Sequence, residues 1–541
     1  MPCVVPAEVI SSSRRAIVWF RRDLRLDDNR TLESATAHAE RVWPVFVADP
    51  ELLTAHASAP GRVAWFDANI RALDQRLRDA GSGLTVLRGR PEVVLRDFAA
   101  QVGAEAVHAG TDEEPVAVAR DARVAQVVDL RLVDDQRIVP PGELHAASGE
   151  PYRVYSPFRR ALDARIQEAP DDLLRGADAR LDRLAPPPAG EARLDGAPAP
   201  YELPPAGEAA AAERLRSFLS HDIDAYGNDR DRPALDRTSR LSPYLRVGAI
   251  SIRACWRAIA ADRYSGHHGP QRRSASRMTE GSDTAEREAH AAAQLTFGLD
   301  RPSGHPARAV GLTGELTDPS VTARSATAEG AGRGGETNGG ARAWRGELAW
   351  REFFAHLLAA HPDVVEGSLR PEFQDLPWVD GAERDELLAA WRIGHTGYPF
   401  VDAGMRQLMA TGWMHNRARL VTASFLVKDL GIDWRIGESV FMDHLLDGDT
   451  AQNNGNWQWV AGVGTDAAPY FRVLNPTLQA KRFDPDGAYV RRWVPEVAHL
   501  PAPEIHEPWR SARPPDDYPT PIVDHAEARQ RTLARYRAVE R

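Results

Sequence analysis

Asp447-Gly448-Asp449-Thr450-Ala451-Gln452-Asn453-Asn454-Gly455-Asn456-Trp457-Gln458-Trp459, continuing to Phe471, mixes polar and aromatic residues too specifically for a plain surface loop. The carboxylates Asp447 and Asp449 come first, then the adjacent amides Asn453 and Asn454, then Trp457 and Trp459 one residue apart. Indole rings offer stacking area. Asp and Asn offer acceptors and donors for a ribose hydroxyl or the edge of a heteroaromatic ring. Such a set suits a large, flat, hydrogen-bonding ligand, and a flavin nucleotide meets that demand.

Further motifs flank this stretch in chain order. Ile17 to Asn29 reads Ile-Val-Trp-Phe-Arg-Arg-Asp-Leu-Arg-Leu-Asp-Asp-Asn, and Thr238 to Leu245 reads Thr-Ser-Arg-Leu-Ser-Pro-Tyr-Leu. Trp344 to Phe353 reads Trp-Arg-Gly-Glu-Leu-Ala-Trp-Arg-Glu-Phe, and Thr411 to Arg417 reads Thr-Gly-Trp-Met-His-Asn-Arg. Together these segments resemble the DNA photolyase/cryptochrome family, in particular its class I branch acting on cyclobutane pyrimidine dimers. The resemblance covers nearly the whole chain apart from one insertion.

At 541 residues the chain exceeds the roughly 250–300 residues at which single cores stop growing, so at least two domains are expected. A hydrophobic content of 43% with 27% charged residues describes an ordinary globular protein. No apolar run approaches the roughly 20 residues of a membrane span, and the start lacks the charged and apolar pattern of a secretory signal. Cys3 and Cys255 are the only cysteines, which excludes a disulfide scaffold or a four-cysteine metal or iron–sulfur site and fits a cytoplasmic protein. A net charge of −10 argues against binding nucleic acid through bulk charge. It leaves room for a local basic groove, because phosphate affinity depends on which Arg and Lys meet the backbone.

Residues 14–145 alternate apolar, β-branched runs with helical patterns. The runs are Ala16–Phe20, Val42–Ala48, Leu84–Leu87, Ala106–Ala109 and Arg131–Val133. This alternation predicts an α/β domain built on a doubly wound, parallel, five-stranded sheet. Arg21-Arg22-Asp23, not Gly-x-Gly-x-x-Gly, follows the first strand, so nicotinamide dinucleotide binding is not expected there. Residues 146–205, rich in Pro and Ala, read as an interdomain linker over the surface. Residues 206–510 read as an all-α flavin-binding domain. It is interrupted at 264–341 by a Gly-, Ser- and Arg-rich insertion expected to be disordered, save for a short helix at Glu286–Leu295. A tail with a charged, solvent-facing helix at Asp524–Val539 fills 511–541.

The resemblance implies FAD as cofactor and ultraviolet-damaged DNA as partner, with no membrane association and a monomeric state. It implies a flavin site from Tyr226, Thr238, Ser239, Arg240, Leu241 and Ser242, with Trp344 and Arg351 nearby. Arg419 is expected to pair with Asp447 beside the isoalloxazine, with Gly448, Asp449 and Asn453 completing the site. Asn453 falls near the reactive ring nitrogen, where a neutral amide favours a fully reduced, anionic flavin. A helix from Asp402 to Asp429 carries Asn416, Arg417 and Arg419.

The lesion pocket is expected from Glu347, Trp350 and Asn416, with Trp459 beside it. A carboxylate or amide meets a base edge there, and an indole stacks on it. Arg230 and Arg417, with Arg351, Lys481 and Arg482, suggest a groove for phosphates. Trp457, Trp434 and Trp378 match the family's chain that carries electrons from the surface to the flavin; single tryptophans are also ordinary core residues. Repairers of the (6-4) photoproduct carry two histidines where this chain has Asn416 and Leu420, so that chemistry is not expected. Cyclobutane-dimer enzymes often have Met at Leu420, a swap of similar volume.

An antenna pigment is expected near Asp49, Asp112 and Glu114, with 8-hydroxy-5-deazaflavin favoured over methenyltetrahydrofolate; the same residues also suit ordinary strand-end loops. The function implied is light-dependent splitting of cyclobutane pyrimidine dimers by electron transfer from reduced FAD. A cryptochrome-like photoreceptor is the alternative, and a flavin-dependent oxidoreductase the reading outside the family.

Overall fold

The apolar runs become a single parallel sheet. β1 (Ser13–Phe20), β2 (Ala39–Ala48), β3 (Thr85–Arg88), β4 (Ala106–Gly110) and β5 (Leu130–Val133) lie in the order β3-β2-β1-β4-β5. The register pairs Ile17 with Trp43 on one side and with Val107 on the other. Parallel neighbours need crossovers, supplied by helices at Arg30–His38, Pro60–Asp79, Pro91–Val102 and Pro115–Val124. Ala16 to Phe20 is buried throughout, as a strand covered on both faces must be. After β3 the chain returns to the far side of β1, so the crevice at the carboxyl ends of β1 and β4 is a topological switch point. Arg21, Arg22 and Asp112 follow directly from those ends.

The coordinates are a computed structural model that describes residues 13–55, 58–188, 198–261, 339–465 and 472–539. The expected disorder and the short helix of the insertion therefore fall outside the described residues, except that Gly339 to Ala341 already belong to the helix Gly339–Ala360. Asp466 to Phe471, the end of the flavin-like stretch, also falls outside.

From Glu208 onward the described elements are helical. One apolar core runs from the α/β domain into them, joining Phe20, Leu24 and Trp65 to Tyr244, Phe353 and Phe354. A second core gathers Trp391, Phe400, Trp434, Phe441 and Trp457.

Several sequence expectations require correction. The span 146–205 is not a plain linker, because Tyr155–Glu168 is a helix that buries Tyr155, Phe158, Leu162 and Ile166. That spacing is a helical stripe, and it packs on the Gly339–Ala360 helix. The expected helix Asp402–Asp429 is broken. Pro399–Thr411 ends at Gly412, whose φ of +65° is a left-handed cap, and a new helix, Asn416–Ser424, starts under His415, whose ring accepts from Arg417 N. A π-helical turn, Phe425–Asp429, follows.

The last helix, His525–Val539, is not solvent-facing all round either, since Ala528, Thr532 and Tyr536 are buried along one side. Tyr536 lies against the Lys428 ammonium, 4.0 Å from the ring centre, and both side chains donate to the carbonyl of Ala461. Burial pulls the Lys428 amine down to about 7, with Arg535 adding to the effect. A base depressed on folding contributes stability that is complete above its unfolded value of ~10.4 and is lost as pH falls through its folded value. The melting temperature of the protein is therefore expected to rise from pH ~7 to pH ~9 relative to that of Lys428→Met, which lacks this proton. Parallel thermal melts of the two proteins across that range check it.

Candidate functional site

Asp449 is the N-cap of the helix Thr450–Ala461 and accepts from Gln452 N at 3.2 Å. From that start the helix turns Asn453 and Trp457 toward a cavity also lined by Asn416, Arg419, Leu420 and Asp447. Arg419 donates to both carboxylate oxygens of Asp447, at 3.1 and 2.9 Å, so the expected pair is present. Asn453 donates to the Glu438 carbonyl at 2.9 Å. Its neighbour Asn454 points elsewhere and, with Gln458, holds the Val364 carbonyl, which makes it a framework residue.

Behind the cavity Asp449 is fully buried among cations. Arg22 reaches it at 2.5 Å and Arg351 at 3.3 Å. Burial alone would push this carboxyl up, but the guanidinium groups of Arg22, Arg351, Arg246 and Arg137 outweigh it and hold Asp449 far below the usual carboxylate range. Arg22 comes from the turn after β1, so the α/β domain supplies part of this wall. Arg246 adds a bond to the Gly448 carbonyl at 2.6 Å.

The Thr238 to Ser242 turn leads into the short helix Ser242–Val247. Arg214 holds the carbonyls of Thr238 and Ser239, and the buried Thr238 hydroxyl oxygen has no hydrogen-bond partner among the described residues. Arg240, at φ +49°, lies over the Trp413 ring at 4.3 Å and pairs with Asp236. Leu241 and Tyr226 are buried, and Trp344 packs in the first core against Phe218. The donor set fits an FAD: an orphaned hydroxyl in a polar turn, an Arg419–Asp447 pair, and an amide and indole on a capped helix.

The lesion-pocket candidates are placed differently from expectation. Glu347 is half-buried and pairs with Arg230 at 2.8 Å. Trp350 does not present an open face, because Tyr155 stacks on it with ring centres 3.6 Å apart and planes 4° from parallel. Phe354 lies on it at 5.5 Å. Tyr155, in the span expected to be a linker, thus packs on a candidate site residue. Asn416 is exposed at the cavity mouth, whereas Trp459 is buried in the second core.

Arg417 is not a groove residue. Its guanidinium is wholly buried, paired with Asp231 at 2.7 Å and lying over Phe483 at 4.1 Å, because it occupies the inner face of the Asn416–Ser424 helix. Arg230 is likewise buried and paired rather than displayed for phosphate. Lys481 pairs with Glu507, and Arg482 lies over Phe483.

Of the tryptophans, Trp457 meets Phe441 at 5.0 Å and Trp391 at 6.4 Å. Trp434 is fully buried in the same core, and Trp378 is half-buried at its margin beneath Arg535. Gly437 lies one turn after Trp434, and a Cβ there would overlap both Trp457 and Leu426. Gly437→Ala is therefore expected to cost about 1–3 kcal/mol by overpacking, read as a lower urea midpoint with the slope unchanged.

A second cavity, of about 210 Å³, opens at the switch point of the sheet. Trp19, Phe46 and Phe66 supply its apolar wall, and Asp49, Asp112 and Glu114 are among its acids. Asp112 and Glu114 both pair with Arg22, at 3.2 and 3.1 Å.

Comparison with known proteins adds the context for this geometry. The profile of the FAD binding domain of DNA photolyase matches residues 344–538, and that of the DNA photolyase domain matches 16–175. The chain is 36% identical to a deoxyribodipyrimidine photo-lyase from Synechococcus, covering 94% of this chain and 93% of that protein. Its structure is similar to that of a bacterial class III photolyase from Agrobacterium tumefaciens, with a TM-score of 0.77 and 34% identity over 99% of this chain and 100% of that one. An archaeal photolyase from Sulfolobus tokodaii solved with two FAD molecules gives a TM-score of 0.68 at 26% identity, covering 97% of this chain and 100% of that one. Among the described residues no helix is long and apolar enough to cross a membrane.

Proposed function

The chain belongs to the DNA photolyase family, and from that premise we propose that it is a light-dependent lyase splitting cyclobutane pyrimidine dimers in ultraviolet-damaged DNA. The observation that carries this reading is the cavity in which the Arg419–Asp447 pair, Asn453 and Asn416 converge. FAD is the cofactor. Held by the Arg419–Asp447 pair, Asn453 and the Thr238–Ser242 turn, a bound, fully reduced FAD would supply light-driven electron transfer to the dimer. The remaining tasks belong to side chains. Thr238, Ser239 and Ser242 receive the pyrophosphate, the Arg419–Asp447 pair and Asn453 orient the ring system, and the neutral Asn453 amide favours its reduced, anionic form.

Asn416 and Glu347 are assigned to the edges of the flipped pyrimidines, and the Trp350–Tyr155 stack to the apolar wall beside them. A distorted dimer costs less to flip than an intact pair, which supplies part of the selectivity. Arg230 keeps the Glu347 carboxylate in place, a positioning duty. Trp457, Trp434 and Trp378 are assigned to passing electrons inward from the surface, which keeps the cofactor reduced. Repair by protein that is already reduced does not need them.

The cavity under the sheet is assigned to an antenna pigment. A planar, anionic chromophore of the 8-hydroxy-5-deazaflavin kind suits its aromatic wall and its arginines better than methenyltetrahydrofolate does. The test of the overall reading is exposure of an ultraviolet-irradiated plasmid to the reduced protein in light and in darkness. Restored transformation in light alone is expected; equal recovery in both, or none, contradicts it and leaves signalling as the role of the fold.

A further inference from the structure

We infer that the two cavities are thermodynamically coupled through Arg22, Arg62 and Arg246, so that a planar, anionic chromophore under the sheet tightens the binding of FAD beside Asp447 and Asn453. The inference rests on the assignment of ligands to both cavities given above.

Each of these arginines lines the cavity under the sheet and also touches the Met442–Asp449 segment that closes the other. Arg22 divides one guanidinium between the two: Nη1 serves Asp112 and Glu114, while Nη2 serves Asp449. Arg246 pairs with Glu114 at 3.3 Å and donates from Nε to the Gly448 carbonyl at 2.6 Å. Arg62 donates to the Met442 carbonyl at 2.5 Å and lies so close to Gly448 that a Cβ there would overlap it. A guanidinium is a rigid plane with its donors in fixed directions. A shift of Asp112 or Glu114 toward or away from a ligand therefore turns the same group that holds the cap of the Thr450–Ala461 helix.

The sign follows from what each ligand needs. The cavity under the sheet is completed by Arg246 and Val247, which come from the helical part, so its occupant binds best when the two domains are docked. The Asp449 wall is completed by Arg22 from the α/β domain, so FAD also binds best to the docked arrangement. Two ligands that select the same state each raise the affinity of the other by the same factor.

The test uses the full chain stripped of flavin, with 8-hydroxy-5-deazariboflavin as probe. The absorbance shift of the probe reports its own binding, and quenching of flavin fluorescence gives the dissociation constant for FAD. Saturating probe is expected to tighten FAD at least about fivefold, with FAD tightening the probe equally. The effect should vanish in Arg22→Gln and shrink in Arg62→Gln; the latter keeps Asp449 paired and serves if the former does not fold. Probe that binds while the FAD constant stays the same overturns the coupling alone. Full coupling surviving in Arg62→Gln overturns the assigned route. Probe that does not bind overturns the antenna assignment and the coupling together.

Discussion

Asp449→Ala is expected to destabilise the protein by about 3–5 kcal/mol and to leave it without bound FAD after purification. The reason is asymmetry. A buried pair adds little over an apolar replacement of both partners, but removing one partner strands the other charge in a low-dielectric interior. Here one carboxylate answers Arg22 and Arg351 directly and Arg246 and Arg137 through space. It also caps the helix that carries Asn453 and Trp457, and loss of a cap costs about 1 kcal/mol more.

The pH dependence has a definite sign. Burial acts to raise Asp449, but the surrounding arginines depress it on balance, so its contribution is complete above the unfolded value of ~3.9 and is lost only as pH falls toward the depressed one. The gap in unfolding free energy between parent and Asp449→Ala should thus stay constant from neutrality to about pH 4 and narrow below it. Urea unfolding at several pH values, with flavin content read from absorbance, measures both parts. Asp449→Asn should recover the cap and little of the rest.

Gly248→Ala is expected to cost about 2–5 kcal/mol, from a left-handed backbone and a steric clash together. Gly248 has φ +70°, and a Cβ there would overlap the carbonyl of Arg22, which belongs to the other domain. The neighbouring bond from Leu24 N to the Val247 carbonyl, 3.1 Å long, shows how closely the two backbones run. Backbone cannot rotate aside as a side chain does, so the domains must part, carrying Arg22 away from Asp449. Lower stability and weaker FAD retention should therefore appear together, checked by thermal melts and by flavin release on dilution.

How much of this was legible beforehand depended on whether a signal was local. The strands were readable because a parallel sheet buried on both faces demands short β-branched runs, and Ala16 to Phe20 is such a run. Asp447 to Trp457 stood out because its chemistry is concentrated in adjacent residues, and the Arg419–Asp447 pair expected there is present. The linker, by contrast, hid Tyr155, whose importance comes from a helix far away in sequence that brings Trp350 beneath it. Arg417 looked like a surface cation because charge is usually exposed; only the fold reveals Asp231 and Phe483 waiting for it. Gly412 and the His415 cap did announce the break in the Asp402–Asp429 helix, but the apolar periodicity on either side masked them. The sharing of Arg22 between two cavities had no local signature, since its partners lie about 90 and 427 residues away.

The most direct measurement of the central claim is the light-driven disappearance of a single cyclobutane thymine dimer from a defined duplex. The reduced, FAD-loaded protein is compared with a Glu347→Gln, Asn416→Ala double variant, which leaves Arg230 an acceptor and the first core intact, and with a dark control. Loss of the dimer by the parent in light alone, strongly slowed in the variant while its flavin content is retained, is the predicted result. A parent that binds reduced FAD and absorbs light yet leaves the dimer intact contradicts the account.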